Sequence, residues 1–397
     1  MKILVINCGS SSLKYQLLNM DDETLLAKGL CERIGTDDGR LKHERGADEF
    51  TVDAPMPDHA AAIKIVLEVL LSKDRGVISD IGEIVAVGHR VVHGGEFFSD
   101  SVLIDGEVEK AIEACFDMAP LHNPPNLTGI RACKQNMPGV PQVAVFDTAF
   151  HQTMPKKAYL YALPKELYEA HKVRKYGFHG TSHKYVSMKA AEVLGRPYNE
   201  LKIITCHLGN GASVCAIDRG HSVDTSMGFT PLEGLVMGTR TGDIDAAVVP
   251  FLMEKEKLSA SQVIDLFNKK SGMLGLSGVS NDFRDILQAK QDGNAHADEA
   301  LESYFYRVAG YIGRYAAAMN GVDAIVFTAG LGENSALLRE KVCAYLGYLG
   351  VKIDPEKNAQ RGKSMDFSAP GATVRAMMIP TNEELVIARD TKAIVAR

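Results

Sequence analysis

A pattern that occurs twice, about 200 residues apart, places the strongest constraint on the fold of this chain. The first copy, Ile3–Leu18 (ILVINCGSSSLKYQLL), sets two apolar runs around a polar glycine turn. The second copy, Ile203–Ala216 (IITCHLGNGASVCA), aligns without a gap, so that Gly209 corresponds to Gly9. Two apolar runs around such a turn predict a β-hairpin. We therefore expect the second half of the chain to repeat the organisation of the first.

The turn of the first hairpin is a candidate phosphate site. It carries Asn7, Ser10, Ser12 and Lys14, which offer hydroxyls, backbone N–H groups and one ammonium group to an anion. Turn geometry alone is the alternative explanation, because any tight turn between buried strands favours glycine and small polar residues. The presence of a second such turn favours the phosphate interpretation.

Length and composition exclude several classes of protein. A chain of 397 residues exceeds one ordinary core, and we expect two domains. It contains 46% hydrophobic and 24% charged residues, and no apolar run approaches the roughly 18 residues that a membrane helix needs. A net charge of −6 argues against a nucleic-acid surface and favours a small partner.

The cysteines and the N-terminus indicate a cytoplasmic protein. Seven cysteines are scattered without a CxxC pair, which favours reduced thiols over a disulfide framework or a zinc site. The apolar run after Met1–Lys2 is shorter than the roughly seven residues of the shortest signal-peptide cores, so we expect a mature cytosolic N-terminus.

Alternating strand and helix patterns predict an α/β protein with largely parallel central strands. In the first half, the predicted strands are Leu25–Ile34, Arg40–Val52, Ile84–Val87 and Gln142–Phe146, and the predicted helices are Pro57–Lys73, Gly106–Met118 and one that starts at Asn123. In the second half, the strands are Ile203–Cys206, Ser213–Ile217 and Ala324–Thr328, and the helices are Ile244–Glu254, Ser261–Lys269, Glu299–Met319 and Asn334–Leu346. A capping-box pattern at Thr381 predicts a final helix.

Two arginines lie in glycine-rich segments, Arg90 in GHRVVHGG and Arg240 in GTRTGDID. A guanidinium group there suits two-point contact with a phosphate or a carboxylate. Each arginine could instead pin its own loop through carbonyls and a neighbouring aspartate, but two phosphate-type turns favour the functional interpretation. Asp147, directly after a predicted strand, could orient an arginine, coordinate Mg²⁺ or cap a turn.

Histidines and glycine motifs add further candidates. His179 and His183 are four residues apart, as in a helical metal pair, but a hydrogen-bond donor to a developing anion is the role we favour for His179. A histidine bonded to loop carbonyls remains the alternative. Glu383, near the start of the last helix, is either a carboxylate favoured by the helix dipole or a ligand for nucleotide-bound Mg²⁺.

Nucleotide motifs are incomplete in this sequence. The Gly362–Ser364 stretch lacks the earlier glycine of a P-loop. The Gly330–Ser335 stretch lacks the third glycine of a dinucleotide fingerprint, yet it follows a strand and can present N–H groups at a helix N-terminus.

Over essentially its whole length the chain resembles the acetate kinase family, within the superfamily of acetate and sugar kinases, Hsp70 and actin. The matching motifs are VINCGSSSLKY, GHRVVHGG, FDTAFH, YGFHGTSH, CHLGNGAS, DTSMGFTPLEGLVMGTRTGDID, FTAGLGENS and TNEELVIARDT, in the family's order. The resemblance implies an α/β fold of two duplicated ribonuclease-H-like (actin-like ATPase) domains with an active-site cleft between them. Residues 1–150 plus about 384–397 would form the first domain, and 151–383 the second, nucleotide-binding one.

The resemblance also implies residue roles. Arg90, Asp147, His179 and Arg240 would be catalytic, and Asn7 and Glu383 would bind Mg²⁺, with Mn²⁺ as a substitute. The acid-binding residues would be Arg90, Val92, Leu121, Phe178 and Pro231. The nucleotide-binding residues would be Ser10, Ser12, Lys14, His207, Leu208, Gly209, Asn210, Gly211, Asp282, Phe283, Arg284, Gly330, Leu331, Gly332 and Asn334.

The implied activity is Mg²⁺-dependent, in-line transfer of the ATP γ-phosphoryl group to acetate, giving acetyl phosphate and ADP in a cytoplasmic homodimer. A propionate or butyrate kinase is the alternative within the family, and an Hsp70-like nucleotide-driven binding protein is the alternative from another class. The chain departs from the family at Ala246, where proline usually follows GDID.

Overall fold

A computed structural model describes residues 1–396 of the chain. The chain divides into two compact units, one comprising Met1–Gln152 with Asn382–Arg397 and the other Thr153–Thr381. Each unit is built around one β-sheet that is flanked by helices.

The strands of the first sheet are β1 (Lys2–Cys8), β2 (Ser12–Asn19), β3 (Thr24–Glu32), β4 (Arg40–Arg45), β5 (Asp48–Asp53), β6 (Ile84–Val91), β7 (Val102–Leu103) and β8 (Gln142–Phe146). Those of the second sheet are β9 (Lys202–Leu208), β10 (Ala212–Asp218), β11 (His221–Thr225), β12 (Ala324–Thr328), β13 (Met365–Asp366) and β14 (Arg375–Met378).

The helices of the first unit begin with α1 (His59–Leu71), α2 (Gly106–Ala114) and α3 (Asn123–Asn136). Those of the second unit are α4 (Lys156–Tyr159), α5 (Lys165–His171), α6 (Gly180–Leu194), α7 (Val248–Glu256), α8 (Ala260–Lys269), α9 (Gly272–Ser277), α10 (Phe283–Gln291), α11 (Ala295–Ala318), α12 (Ala329–Asn334), α13 (Ala336–Ala344) and α14 (Pro355–Asn358). The last helix, α15 (Glu383–Val395), belongs to the first unit.

The two sheets share one strand arrangement. The first has the order β5-β4-β3-β2-β1-β6-β8-β7 and the second the order β11-β10-β9-β12-β14-β13. The antiparallel meander has five strands in the first sheet, β1–β5, and three in the second, β9–β11. In each sheet the first strand of the meander is followed by two parallel strands, and the sheet ends in a short antiparallel strand. This is the duplicated ribonuclease-H-like arrangement of the actin-like ATPase fold class, and it confirms the predicted α/β class.

Both predicted hairpins are present, but their turns differ in length. Cys8 pairs with Leu13 across the first turn, whereas Leu208 pairs with Ala212 across the second. The first turn is therefore one residue longer, and the alignment without a gap is wrong beyond the turn. In the observed register, Lys14 stands opposite Asn7 as Ser213 stands opposite His207.

Three other local predictions are corrected. Arg40–Val52 is two strands rather than one, because Gly46 adopts a φ of 59° and turns the chain between them. The strand predicted over Ile84–Val87 continues to Val91, which places Arg90 in β6 rather than in a loop. Helix α7 begins at Val248, four residues after the predicted start, whereas Gln142–Phe146 forms β8 as predicted.

Helix α15 begins one residue later than its capping-box pattern predicts. Asn382 is the N-cap residue, and its side chain accepts a hydrogen bond from the Leu385 N–H group. Glu383 therefore begins the helix and lies in the first unit, so the chain returns to this unit at 382 rather than at 384. The helix packs on β1 and β6, and a Cβ atom at Gly88 would lie 2.5 Å from Thr391 Oγ1.

Successive side chains of β1 lie on opposite faces of the first sheet. Leu4, Ile6 and Cys8 enter the core formed with α1, whose N-cap residue is Asp58. On the opposite face, Val5 lies beside Ile387 of α15 in the wall of a cavity. Arg90, which is proposed for catalysis, lines the same cavity.

Candidate active site

In the first unit, Arg90 is held by a buried carboxylate. Its Nε donates to Asp147 Oδ1 at 3.0 Å and its Nη2 donates to Oδ2 at 2.7 Å. The Asp147 side chain is only 2% exposed, while that of Arg90 is 24% exposed. The carboxylate raises the pKa of Arg90, so the guanidinium stays charged. Of the roles considered for Asp147, orienting an arginine is the one that this geometry supports.

The cavity beside Arg90 has a volume of about 440 Å³. Its wall includes Asn7 and Lys14 from the first hairpin and Glu383 and Glu384 from α15. Cations and carboxylates thus face one space, as a phosphate group with a divalent cation would require. Ser10 and Ser12 lie in the adjacent turn, where Gly9 N–H donates to the Ser12 carbonyl at 2.8 Å.

The oxygen-bearing side chains in this cavity suit Mg²⁺ that is bound partly by the protein. Among the residues that the structure describes, they do not form a site in which the protein supplies every ligand. Asn7 and Glu383 both line this cavity, and Mg²⁺ prefers oxygen ligands such as those of amide and carboxylate groups. Within residues 1–396, no group of three or more His, Cys, Asp and Glu side chains could hold a metal ion. This ligand set suits an ion that takes its remaining ligands from nucleotide phosphates and water.

In the second unit, Arg240 is a half-buried arginine, and no carboxylate in the described part of the chain pairs with it. Its Nη1 donates to the Pro231 carbonyl at 3.3 Å and contacts Met237 Sδ at 3.8 Å. Burial lowers the pKa of this side chain from its ordinary value. A desolvated cation without a counter-charge is costly, and an anionic ligand would offset that cost.

His179 lies near Arg240 across the second hairpin turn. A Cβ atom built on Gly211 would lie 3.6 Å from His179 Nε2 and 3.7 Å from Arg240 Nη1. His179 is the N-cap residue of α6 with a φ of 56°, and its ring stacks on that of His207 at 4.1 Å. Its Nδ1 bonds to Ser213 Oγ at 2.9 Å. This bond joins His179 to a side-chain hydroxyl.

The metal pair of His179 and His183 is not supported. His183 is completely buried, with its Nδ1 bonded to Thr205 Oγ1 and its Nε2 to Ser213 Oγ, both at 2.7 Å. Both ring nitrogens therefore bond to buried hydroxyl groups inside the second unit.

The second turn, from Leu208 to Gly211, is closely packed. A Cβ atom on Gly238 would lie 1.9 Å from Asn210 Oδ1, and the Gly238 N–H donates to the Asn210 carbonyl at 2.9 Å. Asn281 Nδ2 also donates to Asn210 Oδ1, at 3.0 Å. The predicted phosphate turn is thus held rigidly to the segment that carries Arg240.

The predicted GLGEN stretch forms α12, directly after β12. Ala329 begins this helix with a φ of 61°, which is strained for a residue with a Cβ atom. Gly330, Leu331, Gly332 and Asn334 follow, and Asn334 Nδ2 donates to the Gly330 carbonyl at 2.8 Å. Such a strained strand-to-helix junction is typical of a ligand-binding turn.

At the start of α10, Asp282 and Arg284 are bonded to each other, with the arginine 88% exposed. Phe283 is buried, and its ring packs edge-on against Tyr304 with centroids 4.8 Å apart. The Phe283 ring therefore takes part in the packing of the second unit.

The four apolar residues proposed for the acid differ in exposure. Val92 and Phe178 are buried, whereas Leu121 is 68% exposed. Pro231 contacts Arg240 through its carbonyl group. Ala246, the departure from the family pattern, is exposed just before α7.

Several residues that support the site were not predicted from the sequence. Asn126 is buried; its Oδ1 accepts from the Val92 N–H at 3.1 Å and its Nδ2 donates to the Cys8 carbonyl at 2.8 Å, which ties the first turn to the end of β6. Buried Arg339 donates to the carbonyls of Gly332 and Glu333 at 2.8 and 2.9 Å and so holds the end of α12. The only signal for Asn126 was its place in the NPPN stretch, and Arg339 gave none.

The seven cysteines are all free and buried, so the prediction of unpaired thiols is confirmed. Burial raises the pKa of Cys8 to about 12 and that of Cys343 to about 12. Among residues 1–396, every helix is too short or too polar to cross a membrane.

Comparisons with known proteins agree over the full chain. The model of the Acetokinase family matches residues 2–389. The acetate kinase of Natranaerobius thermophilus is 60% identical over 398 residues, covering 100% of both chains. Among solved structures, Porphyromonas gingivalis acetate kinase matches with a TM-score of 0.96 and 50% identity over 99% of each chain. A propionate kinase from Francisella tularensis matches with a TM-score of 0.92 and 42% identity, also over 99% of each chain.

Proposed function

Because this chain belongs to the acetokinase family, we propose that it transfers the γ-phosphoryl group of ATP reversibly to acetate, giving acetyl phosphate and ADP. An acetate oxygen forms the new bond to phosphorus, and the bond from phosphorus to the ADP oxygen breaks. Acetate is already ionised at neutral pH, so the attack requires no general base. Positioning and charge stabilisation must then supply the rate enhancement.

The observation that carries this proposal is the half-buried guanidinium of Arg240, which lacks a carboxylate partner among residues 1–396 and lies across Gly211 from His179. We assign Arg240 to the transferring phosphoryl group and His179 to its equatorial oxygens. Arg90, whose orientation Asp147 fixes, binds the acetate carboxylate and the same phosphoryl group. Phosphoryl transfer commonly depends on such arginines, which stabilise charge in the transition state.

Asn7 and Glu383 would hold Mg²⁺, or Mn²⁺ in its place, and the ion would neutralise charge on the nucleotide phosphates. The first turn, with Ser10, Ser12 and Lys14, and the second turn, His207–Gly211, would bind phosphates. The remaining nucleotide contacts are assigned to two short segments, residues 282–284 and 330–334.

Val92, Leu121, Phe178 and Pro231 are assigned to the acetate methyl group. One added methylene is worth only about 1–3 kcal/mol in an apolar pocket, so propionate is expected as a weaker substrate. A homodimer in the cytoplasm completes the proposal: the family resemblance supports the dimer, and the free cysteines support a reducing compartment.

A hydroxamate trapping assay with ATP, Mg²⁺ and separate short-chain acids tests this function. We expect acyl phosphate with acetate, less with propionate, and least with butyrate. Acid-independent ATP hydrolysis without acyl phosphate would instead indicate a nucleotide-driven binding protein. A preference for propionate or butyrate in kcat/KM would reassign the substrate within the family.

A further inference from the structure

A chain of hydrogen bonds connects the core of the second sheet to His179. It runs from Thr205 Oγ1 to His183 Nδ1 (2.7 Å), from His183 Nε2 to Ser213 Oγ (2.7 Å) and from Ser213 Oγ to His179 Nδ1 (2.9 Å). Thr205, His183 and Ser213 are completely buried. A hydroxyl group has one proton to donate, and a neutral imidazole donates at one ring nitrogen and accepts at the other. The direction of one hydrogen bond in the chain therefore fixes the direction of the others.

The direction is set at the buried end. Within residues 1–396, Thr205 Oγ1 has His183 Nδ1 as its one hydrogen-bond partner. A buried hydroxyl with one partner donates to it, because an unpaired buried proton is costlier than an unused oxygen lone pair. Thr205 therefore donates to His183 Nδ1, and the proton of neutral His183 is on Nε2.

The same reasoning continues along the chain to His179. His183 Nε2–H donates to Ser213 Oγ, which leaves the Ser213 hydroxyl proton to donate to His179 Nδ1. If His183 carried protons on both nitrogens, its Nε2–H would still donate to Ser213, and the result at His179 would not change. A neutral imidazole that accepts at Nδ1 carries its proton on Nε2.

We propose that Ser213 and His183 are positioning residues that fix His179 as the neutral tautomer with its proton on Nε2. This is the nitrogen that lies towards Gly211 and Arg240 Nη1. The proposal rests on the function proposed above, in which His179 donates a hydrogen bond to the transferring phosphoryl group. The opposite tautomer would present a lone pair to phosphoryl oxygens and repel them.

Selective ¹⁵N labelling of histidine, with long-range ¹H–¹⁵N correlation spectra of the full chain without substrates, tests the tautomer directly. The His179 signals are assigned by comparison with His179→Gln. We expect a protonated Nε2 and an unprotonated Nδ1 for His179 in the wild-type protein. A proton on Nδ1 would overturn the proposal, and this result needs no variant to fold.

Variants then test the hydrogen-bond chain. Ser213→Ala and Thr205→Val should each give a mixture of His179 tautomers, whereas Ser213→Thr, which keeps the hydroxyl, should restore the wild-type spectrum. Ser187→Ala is a matched control, because it removes another fully buried serine hydroxyl from the helix that carries His183. An unchanged His179 tautomer in both Ser213→Ala and Thr205→Val would also overturn the proposal.

Kinetics separate this proposal from the function on which it rests. Ser213→Ala should lower kcat about ten- to hundredfold, as loss of an orienting partner does, with KM for ATP and acetate little changed. Ser213→Thr should recover most of kcat. If the wild-type chain forms no acetyl phosphate but shows the expected tautomers, the proposed function fails while the tautomer assignment stands.

Discussion

Arg90 of β6 and Asp147, which directly follows the neighbouring strand β8, are joined by two parallel hydrogen bonds of 3.0 and 2.7 Å. The pair fixes the plane of the guanidinium and leaves its Nη1 outside the ion pair. Because Asp147 is buried, the arginine keeps its charge and its orientation before any ligand arrives.

Asp147→Ala should therefore impair both stability and turnover. Removing one partner of a buried ion pair costs about 3–5 kcal/mol, because the remaining charge is left uncompensated. We expect a lower urea midpoint and a kcat reduced at least tenfold. Asp147→Glu keeps the negative charge, so its urea midpoint and its kcat should lie between those of the wild type and of Asp147→Ala. Wild-type turnover in Asp147→Ala would show that the orientation of Arg90 is unimportant.

Arg240→Ala should reduce kcat roughly a thousandfold or more, as the loss of an arginine finger does. Arg240→Lys should recover little, because an ammonium group cannot make the planar two-point contact. Arg196→Ala, which removes an exposed arginine paired with Asp323 in the same unit, serves as the control. The hydroxamate assay measures all three variants, and near-normal turnover of Arg240→Ala would exclude this role.

Asn7→Ala should raise the Mg²⁺ concentration needed for half-maximal activity about tenfold, because one oxygen ligand is lost. Its fold should be unchanged, since the side chain lines a cavity rather than a core. Gln16→Ala provides the matched control from the wall of the same cavity. Equal Mg²⁺ requirements in the two variants would remove Asn7 from the metal site.

The configuration at phosphorus of a chiral γ-phosphoryl group should be inverted after one turnover, because direct in-line transfer involves a single displacement. A phosphoenzyme on Glu383 would require two displacements and give retention. Stereochemical analysis of the acetyl phosphate formed from chirally labelled ATP distinguishes the two mechanisms.

His89 should make the first unit sensitive to acid. Burial lowers its pKa from 6.5 to about 4, so between these values the unfolded chain binds a proton that the folded chain excludes. Stability therefore falls as the pH decreases from about 6.5 to 4 and levels off below, by at most about 3 kcal/mol. Urea midpoints measured across this range should fall less steeply for His89→Gln. Parallel slopes would assign the acid sensitivity to other groups.

Short-range patterns were sufficient for most of the secondary structure. Both hairpins, α1 and β8 follow from apolar periodicity and turn residues. The errors arose where the local pattern was ambiguous. Glycine and histidine after Val87 resemble a loop, yet pairing with both β1 and β8 keeps that segment extended through Arg90.

The candidate site was predicted as a set of residue types, and its geometry was not. The aspartates of GDID lie close to Arg240 along the chain, so the sequence suggests a carboxylate partner for it. Asp243 instead accepts hydrogen bonds from Gly234 N and the Tyr311 hydroxyl. Only packing against a helix distant in sequence shows this.

The sequence by itself determined the α/β class, the repeated hairpin and the residue types proposed to face a phosphate, because these depend on periodicity and turn chemistry over a few residues. The tertiary structure alone decided which charges are paired and which side chains are joined by hydrogen bonds. Arg90 meets Asp147 across 57 residues, and His179 meets Ser213 across 34. Such contacts depend on strand order and register, which burial of the whole core selects and no local pattern encodes.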